Sequence, residues 1–526
     1  MLIRRLCFIG LVCAALLAIP ACSGSKTTSA ATLRVGSLEP AAIDPALATD
    51  SPGVQVTRLL FEGLTTTDDR LGVVPAVAES WTTDPSGRTF TFILRDGVQF
   101  SNGQPVTTND FVFAFDRLAD PDTASPRQQL GTPIEGWDAV AGGQPSGKIG
   151  DVPVAGVRAV DARTLTITTV EPFALLPSLV SQVAFAPVPK DALSTPDQAK
   201  RFADEPIGNG PYRMQGPWQR GSQISLTTNR SYFGTPPVTP NIAFEISADS
   251  DAEYARFRDG RLDISEIPVG AFQAARKTYG ERAQSWPTAF LLYLGMNVDR
   301  APYSDLNLRR ALSLSIDRAA IANRLLEGTA TPATGMVPPL TPETQANACD
   351  DCRFDPPAAK ALLGTKKYPK LNLYADAGGS FLPVLRAITD EWRNVLGIDV
   401  TIVERDATQL QDDIAARTLD GLFYSGWIPD FPSAYAILDP LFATNGTDNH
   451  FGYSSAAVDR ALADARRAPN ATTAGAALSG ADRTVSTALP ALPLVNSDVV
   501  YATSTRVNDF RVDVLGNLLL ERVRLR

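Results

Sequence analysis

Alternating hydrophobic and polar residues predict several short β-strands. Residues 89–94 partly alternate, and turn-forming residues lie before them at 84–87 (DPSG) and after them at 96–97 (DG). This pattern predicts a β-hairpin. Further strands are predicted in segments bounded mainly by Gly, Pro or Asn, at 164–169, 223–228, 242–246, 371–374 and 399–403.

Apolar residues at helical spacing predict helices between these strands. Thr107 and Asp110 can cap a helix that runs to about Leu118. A second helix is predicted from Leu308 to the stop signal at Gly328. Two more are predicted at 355–364 and 381–396. Because strands and helices alternate here, the second half is predicted to be an α/β domain.

The N-terminus has the order of a secretory signal, with Arg4 and Arg5 followed by an uncharged apolar run over residues 6–19. The run is shorter than a transmembrane helix requires. Residues 18–22 (AIPAC) resemble a bacterial lipobox, which implies cleavage before Cys22 and acylation of this cysteine. We therefore predict a signal peptide at 1–21 and a flexible Ser, Thr and Ala rich tether at 22–32. The alternative, an ordinary cleaved signal peptide in which this cysteine occurs by chance, stays open.

Composition limits the functional classes. The chain has 526 residues, of which 44% are hydrophobic, so more than one domain is expected. Its net charge of −9 becomes −11 when residues 1–21 are removed, because Arg4 and Arg5 are lost and no acid is. Without a basic run, the surface does not suit a nucleic-acid partner.

Cys349 and Cys352 form a Cys-x-x-Cys motif in a loop. In an exported chain this spare pair favours a disulfide, with a redox pair as the weaker alternative. A zinc site normally takes four ligands, and the chain has one histidine, His450. The sequence also lacks the common nucleophile and metallopeptidase motifs. We expect no bound metal, no cofactor and no enzymatic activity.

Several short sequence segments resemble, in the same order along the chain, segments of the peptide-class (family 5) extracellular solute-binding proteins of ABC transporters. They span nearly the whole exported chain. The segments are residues 76–103 (AVAESW to FSNG), 208–212 (GNGPY), 257–264 (FRDGRLDI), 297–318, 355–363 and 424–432 (YSGWIPDFP).

This resemblance implies a two-lobed α/β fold of the periplasmic-binding-protein type (type II), with an extra subdomain and a two-strand hinge. The main domain of lobe I is expected to combine residues 33–60, 183–290 and 489–526. The extra subdomain is expected at 61–182 and lobe II at 291–488.

The resemblance also implies a function: capture of peptides between the lobes and delivery to an ABC importer. The expected partners are the peptide and the importer's permease and ATPase subunits, and the protein is expected to be a monomer, lipid-anchored on the extracytoplasmic face of the cell membrane. Asp430 matches the aspartate that holds the peptide's α-ammonium in relatives. The chemistry is reasonable, since a carboxylate accepts charge-assisted hydrogen bonds from an ammonium. An aspartate that caps a turn is the alternative.

The other candidate ligand-binding residues are less specific. Trp427 is predicted to line the cleft or to pack in the core, and core packing is favoured for Tyr424 and Phe431. Asn209 and Tyr212 lie in a turn whose backbone could pair with an extended peptide, although a structural turn is favoured. Alternative functions are a non-peptide ligand in the same fold (nickel chelate, haem, sugar or opine), a secreted peptidase, or a surface lipoprotein without an importer.

Overall fold

The computed structural model describes residues 32–68 and 71–526. The predicted signal peptide, Cys22 and residues 22–31 of the predicted tether lie outside this range. We call residues 32–290 and 489–526 lobe I, and residues 291–488 lobe II. Within the described range, no helix combines the length and the apolar character needed to cross a membrane.

The first part of lobe I contains a small antiparallel sheet and the helices that cover it. The elements are β1 (Thr32–Leu38), α1 (Ser51–Leu60), β2 (Thr65–Thr67), β3 (Val73–Pro75), β4 (Ala78–Thr83), β5 (Thr89–Leu94), α2 (Thr108–Ala119), α3 (Trp137–Ala141), β6 (Val157–Ala159), β7 (Thr164–Thr168) and α4 (Leu176–Leu179). Strands β4, β5, β7 and β6 form the small sheet and pair in that order.

The rest of lobe I, before the chain enters lobe II, contains part of a larger sheet and the helices beside it. The elements are α5 (Pro196–Asp204), β8 (Tyr212–Met214), β9 (Gln223–Thr228), β10 (Asn241–Ser247), α6 (Ser250–Arg258), β11 (Ile264–Glu266), α7 (Phe272–Tyr279) and β12 (Ala283–Gly295). In the larger sheet, β1 pairs in parallel with β10 and β11, and β9 pairs antiparallel with β10 and β8.

Lobe II alternates helices with parallel strands, and the chain then returns to lobe I. The elements are α8 (Leu306–Leu314), α9 (Arg318–Ala320), β13 (Ala330–Pro332), α10 (Pro356–Leu363), β14 (Leu371–Asp376), α11 (Leu382–Leu396), β15 (Val400–Arg405), α12 (Ala407–Ala415), β16 (Leu422–Trp427), α13 (Tyr435–Phe442), α14 (Ala456–Arg466), α15 (Ala471–Ala488), β17 (Ala491–Thr503), β18 (Val507–Asn508) and β19 (Arg524–Leu525). Strand β14 pairs in parallel with both β15 and β16.

Two long strands, β12 and β17, connect the lobes. Each has 13 residues, and they pair antiparallel along their length. In lobe I, β17 also pairs with β11, and in lobe II, β12 also pairs with β16. Register shifts between Pro287 and Phe290 and between Leu292 and Tyr293 interrupt the regular pairing. The fold is therefore a two-lobed α/β structure joined by a two-strand hinge, as expected.

One cluster of buried side chains runs through both lobes, and a second lies mainly in lobe II. In lobe I, Phe92 and Phe115 are fully buried between the small sheet and α2. In lobe II, Ile388 and Trp392 of α11 pack with Leu373 of β14. The indole Nε1 of Trp392 donates to the carbonyl of Leu312 at 2.9 Å, so its polar atom is also satisfied.

The local signals predicted most elements correctly. The hairpin is present as β4 and β5, and Thr107 and Asp110 form the capping box of α2. Asp355 caps α10, accepting the amide of Ala358 at 3.0 Å, and Gly364 ends the helix at φ 56°. The predicted strands and the helix at 381–396 are also confirmed.

The prediction of one helix from Leu308 to Gly328 is wrong. Helix α8 ends at Leu314, and Asp317 begins a new segment by accepting the amide of Ala320 at 2.8 Å. The buried guanidinium of Arg318 donates to the carbonyls of Pro493 and Cys352. These bonds join Arg318 to residues 175 and 34 positions away, so no local sequence pattern predicts them.

Candidate functional site

A cavity of about 550 Å³ lies between lobe I and lobe II. Phe173 and Leu130 line it from lobe I, and Phe431 and Tyr435 line it from lobe II. The rings of Phe173 and Tyr435 meet edge to face, with centroids 5.8 Å apart. Clefts between domains with apolar walls and a few polar groups are the usual place for a small ligand.

Strand β16 leads the chain to this cavity. It runs parallel to β14, and residues 428–434 connect it to α13. Ligands of open α/β sheets bind outside the carboxyl ends of the parallel strands. Asp430 lies beyond that end of β16 and lines the cavity, so the sheet topology places the predicted ammonium-binding residue between the lobes.

Asp430 forms an ion pair with Arg127 of lobe I. The side chains are mostly buried, with exposed fractions of 20% for Asp430 and 17% for Arg127. Burial raises the pKa of Asp430 above its usual range, and the positive charge of Arg127 acts in the opposite direction. Sequence reasoning missed Arg127, because an isolated arginine after Ser125 and Pro126 carries no recognisable pattern.

The three aromatic candidates have different environments. The Nε1 of Trp427 donates to the carbonyl of Ala436 at 3.0 Å, and its ring packs against the core cluster that contains Phe431. Tyr424 stacks on Phe381, with centroids 5.4 Å apart. Phe431 is 4% exposed and lines the cavity. Of the three, only Phe431 lies in the cavity wall beside Asp430.

Asn209 and Tyr212 are placed in the interior of lobe I, and neither side chain is exposed. Asn209 bonds both backbone groups of Glu62, at 3.0 and 2.9 Å, and the hydroxyl of Tyr212 donates to the carbonyl of Thr239 at 2.8 Å. A Cβ at Gly208 would lie 1.9 Å from the carbonyl oxygen of Leu60. These contacts favour the structural interpretation of the 208–212 turn.

Further charged groups surround the cavity. Arg466 donates to the hydroxyl of Tyr435 at 3.0 Å and to Asp439 at 3.4 Å. Burial raises the pKa of Asp439, and Arg466 opposes this shift. A second ion pair between the lobes joins Arg467 to Glu171 at 2.8 Å; neither residue lines the cavity, and both side chains are substantially exposed.

Cys349 and Cys352 are joined by a disulfide and buried in the core of lobe II. His450 lies in the loop between α13 and α14, with its Nε2 3.8 Å from an oxygen of Asp448. Burial lowers the pKa of His450. Within residues 32–68 and 71–526, no three His, Cys, Asp or Glu side chains are arranged to hold a metal ion.

Comparison with known families and proteins agrees with this geometry. Residues 72–449, more than half of the chain, match the family described as "Bacterial extracellular solute-binding proteins, family 5 Middle". The periplasmic oligopeptide-binding protein OppA of Salmonella typhimurium is 27% identical over 443 residues, covering 80% of this chain and 79% of that protein. The probable deoxycholate-binding periplasmic protein YgiS of Escherichia coli is 27% identical over 490 residues, covering 90% and 89%.

Solved structures share the fold. The murein tripeptide binding protein MppA of Escherichia coli is 25% identical and superposes with a TM-score of 0.79, covering 94% of this chain and 98% of that one. OppA of Burkholderia pseudomallei also gives a TM-score of 0.79, at 24% identity, covering 95% and 99%.

Proposed function

Because the chain belongs to family 5 of the bacterial extracellular solute-binding proteins, we propose that it captures peptides between its lobes and delivers them to an ABC importer. Relatives named as oligopeptide-binding and murein peptide-binding proteins match about four fifths of the chain. The proposed role is binding and delivery, without a catalytic step.

The observation that carries this proposal is the position of Asp430 between the lobes. Its carboxylate lines the interlobe cavity and is mostly buried. A peptide's α-ammonium could donate charge-assisted hydrogen bonds to it, and these strengthen when lobe closure excludes water. Phe431 and Tyr435 would provide the apolar wall for the adjacent peptide side chain.

The hinge supplies the motion that capture requires. Two strands, β12 and β17, carry the connection between the lobes, so a few backbone torsions can change the lobe angle while each lobe stays rigid. A ligand shifts the protein toward the closed form only through contacts that the open form lacks. Groups contacted from both lobes, such as Asp430, therefore matter most for affinity.

The proposal also includes the setting of the protein. The family is extracytoplasmic, and we place this chain on the outer face of the cell membrane, anchored through lipid on Cys22 and acting as a monomer. Its partners would be the permease and ATPase subunits of the importer. We assign residues 61–182 to the extra subdomain and 291–488 to lobe II.

Calorimetry with Asp430→Asn tests the proposed role of the carboxylate. Peptides with a free N-terminus should bind the wild-type protein. Asp430→Asn should weaken their binding by about tenfold or more, since hydrogen bonds to charged groups contribute about 1.5–3 kcal/mol. The affinity for N-acetylated peptides should fall much less. Equal affinity of both proteins for free peptides would contradict the role of Asp430.

A further inference from the structure

Arg127 is held rigidly on the lobe I side of the cleft. Its Nη2 donates to the carbonyl of Thr49 at 3.2 Å and its Nε to that of Ala48 at 3.4 Å. Its backbone amide donates to the hydroxyl of Ser125 at 3.0 Å. The hydroxyl of Ser125 in turn donates to the carbonyl of Ala46. The guanidinium is therefore fixed by one loop of lobe I, with Nη1 left to cross the cleft.

That remaining nitrogen donates to Oδ1 of Asp430. The ion pair supplies the carboxylate with the cation that a peptide's ammonium would otherwise provide. An ammonium at the other oxygen of Asp430 would lie next to the guanidinium, and like charges repel strongly in a partly desolvated site. An ammonium at the same oxygen would have to displace Arg127.

Both arrangements have the same consequence for affinity. If the ammonium displaces Arg127, ligand binding competes with a contact that stabilises the ligand-free form, which lowers the apparent affinity. If the ammonium binds alongside Arg127, the repulsion lowers the affinity directly. A ligand without an ammonium meets neither penalty, because the ion pair stays intact.

Building on the proposed function, we propose that Arg127 is a specificity-determining residue, whose guanidinium competes with the ammonium of the ligand for Asp430. The wild-type protein therefore discriminates less between free and N-terminally blocked peptides than it would if Asp430 had no partner in lobe I. The substrate class extends to peptides whose N-terminus is acylated or otherwise uncharged.

The test is calorimetry on the chain without the predicted signal peptide (residues 1–21), with matched pairs of free and N-acetylated peptides. Arg127→Gln removes the charge and keeps a polar side chain. It should tighten the binding of free peptides by about tenfold, because a charge-assisted contact no longer competes for Asp430. The affinity for acetylated peptides should be unchanged or lower. Arg127→Lys keeps the charge and should restore the wild-type ratio of the two affinities.

Arg467→Gln is the matched control. This substitution breaks the ion pair between the lobes that Arg467 forms with Glu171, and Arg467 does not contact Asp430. It should leave the ratio of free to acetylated affinity unchanged, which separates competition at Asp430 from a general effect on lobe closure. Thermal unfolding of each variant confirms that it is folded.

Each outcome decides between the two proposals. If the wild type binds peptides but Arg127→Gln does not favour the free form, the competition is wrong and the proposed function stands. If Arg127→Gln abolishes binding of both forms, Arg127 holds the ligand itself and the inference is overturned. If no folded variant binds any peptide, the proposed function fails and the inference fails with it.

Discussion

Arg117→Met would break a buried ion pair that supports the loop holding Arg127. The guanidinium of Arg117 donates to the two carboxylate oxygens of Asp44, at 2.8 and 2.6 Å. The side chains are only 4% and 5% exposed. Asp44 begins the loop whose later carbonyls, at Ala48 and Thr49, accept from Arg127. This pair links the first lobe I loop to α2.

The expected magnitude follows from this burial. Removing one partner of a buried pair leaves the other charge unpaired, which destabilises proteins by about 3–5 kcal/mol. At about 2 °C per kcal/mol for large domains, lobe I should lose roughly 6–10 °C in Tm. Differential scanning calorimetry and urea unfolding of the wild type and the variant measure both quantities.

Two further variants make this prediction refutable. Adding Asp44→Asn to Arg117→Met removes the stranded charge and should recover part of the lost stability. Arg261→Met removes an exposed pair with Asp259, in which both side chains are 61% exposed, and should change the stability by about 1 kcal/mol or less. If Arg117→Met is no more destabilising than Arg261→Met, the assigned role of the buried pair is wrong.

Two other predictions concern a close backbone approach and a buried acid. Gly208→Ala should destabilise lobe I by more than about 2 kcal/mol in urea unfolding, since its Cβ would meet the Leu60 carbonyl; Gly480→Ala, which meets nothing within 4 Å in α15, should instead stabilise by about 0.5–1 kcal/mol. Burial raises the pKa of Asp482 to about 6. The folded protein therefore keeps a proton that the unfolded chain releases, and stability should fall by up to about 3 kcal/mol as the pH rises from about 4 to 6. Asp482→Asn should remove the share of this slope that comes from Asp482, while Asp116, whose pKa burial also raises to about 6, keeps its own share. A slope identical to that of the wild type would contradict the assignment.

The sequence carries local signals for much of the fold. The Asp–Gly turns, the Thr107 capping box and the Asp355–Pro356 helix start each act within a few residues, so they can be recognised without tertiary contacts. The resemblance to the family supplied the lobes and the hinge. The break after α8 was missed although the Asp317 cap is local. The contacts that fix Arg318 next to it reach residues far away in the chain and could not be predicted.

The site was predicted only in part, for the same physical reason. Asp430 was predicted through a motif and lines the cavity between the lobes. The contacts of Asn209 and Tyr212 favour a structural role for the turn at 208–212, but its part in ligand binding stays a prediction. The partner of Asp430 was not found, because Arg127 lies 303 positions away and reaches it only when the two lobes face each other. Pairing between lobes is set by tertiary geometry and leaves no periodic pattern in the sequence.

Peptide capture by the wild-type protein tests the central claim most directly. The processed chain would be unfolded and refolded to remove carried ligand, mixed with a peptide library of defined composition, and analysed by native mass spectrometry. The account predicts that peptides are retained at one per protein, and that calorimetry with the retained sequences gives saturable binding. A folded protein that retains no peptide would contradict it, and deoxycholate, the ligand class in the name of one relative, would be tested next.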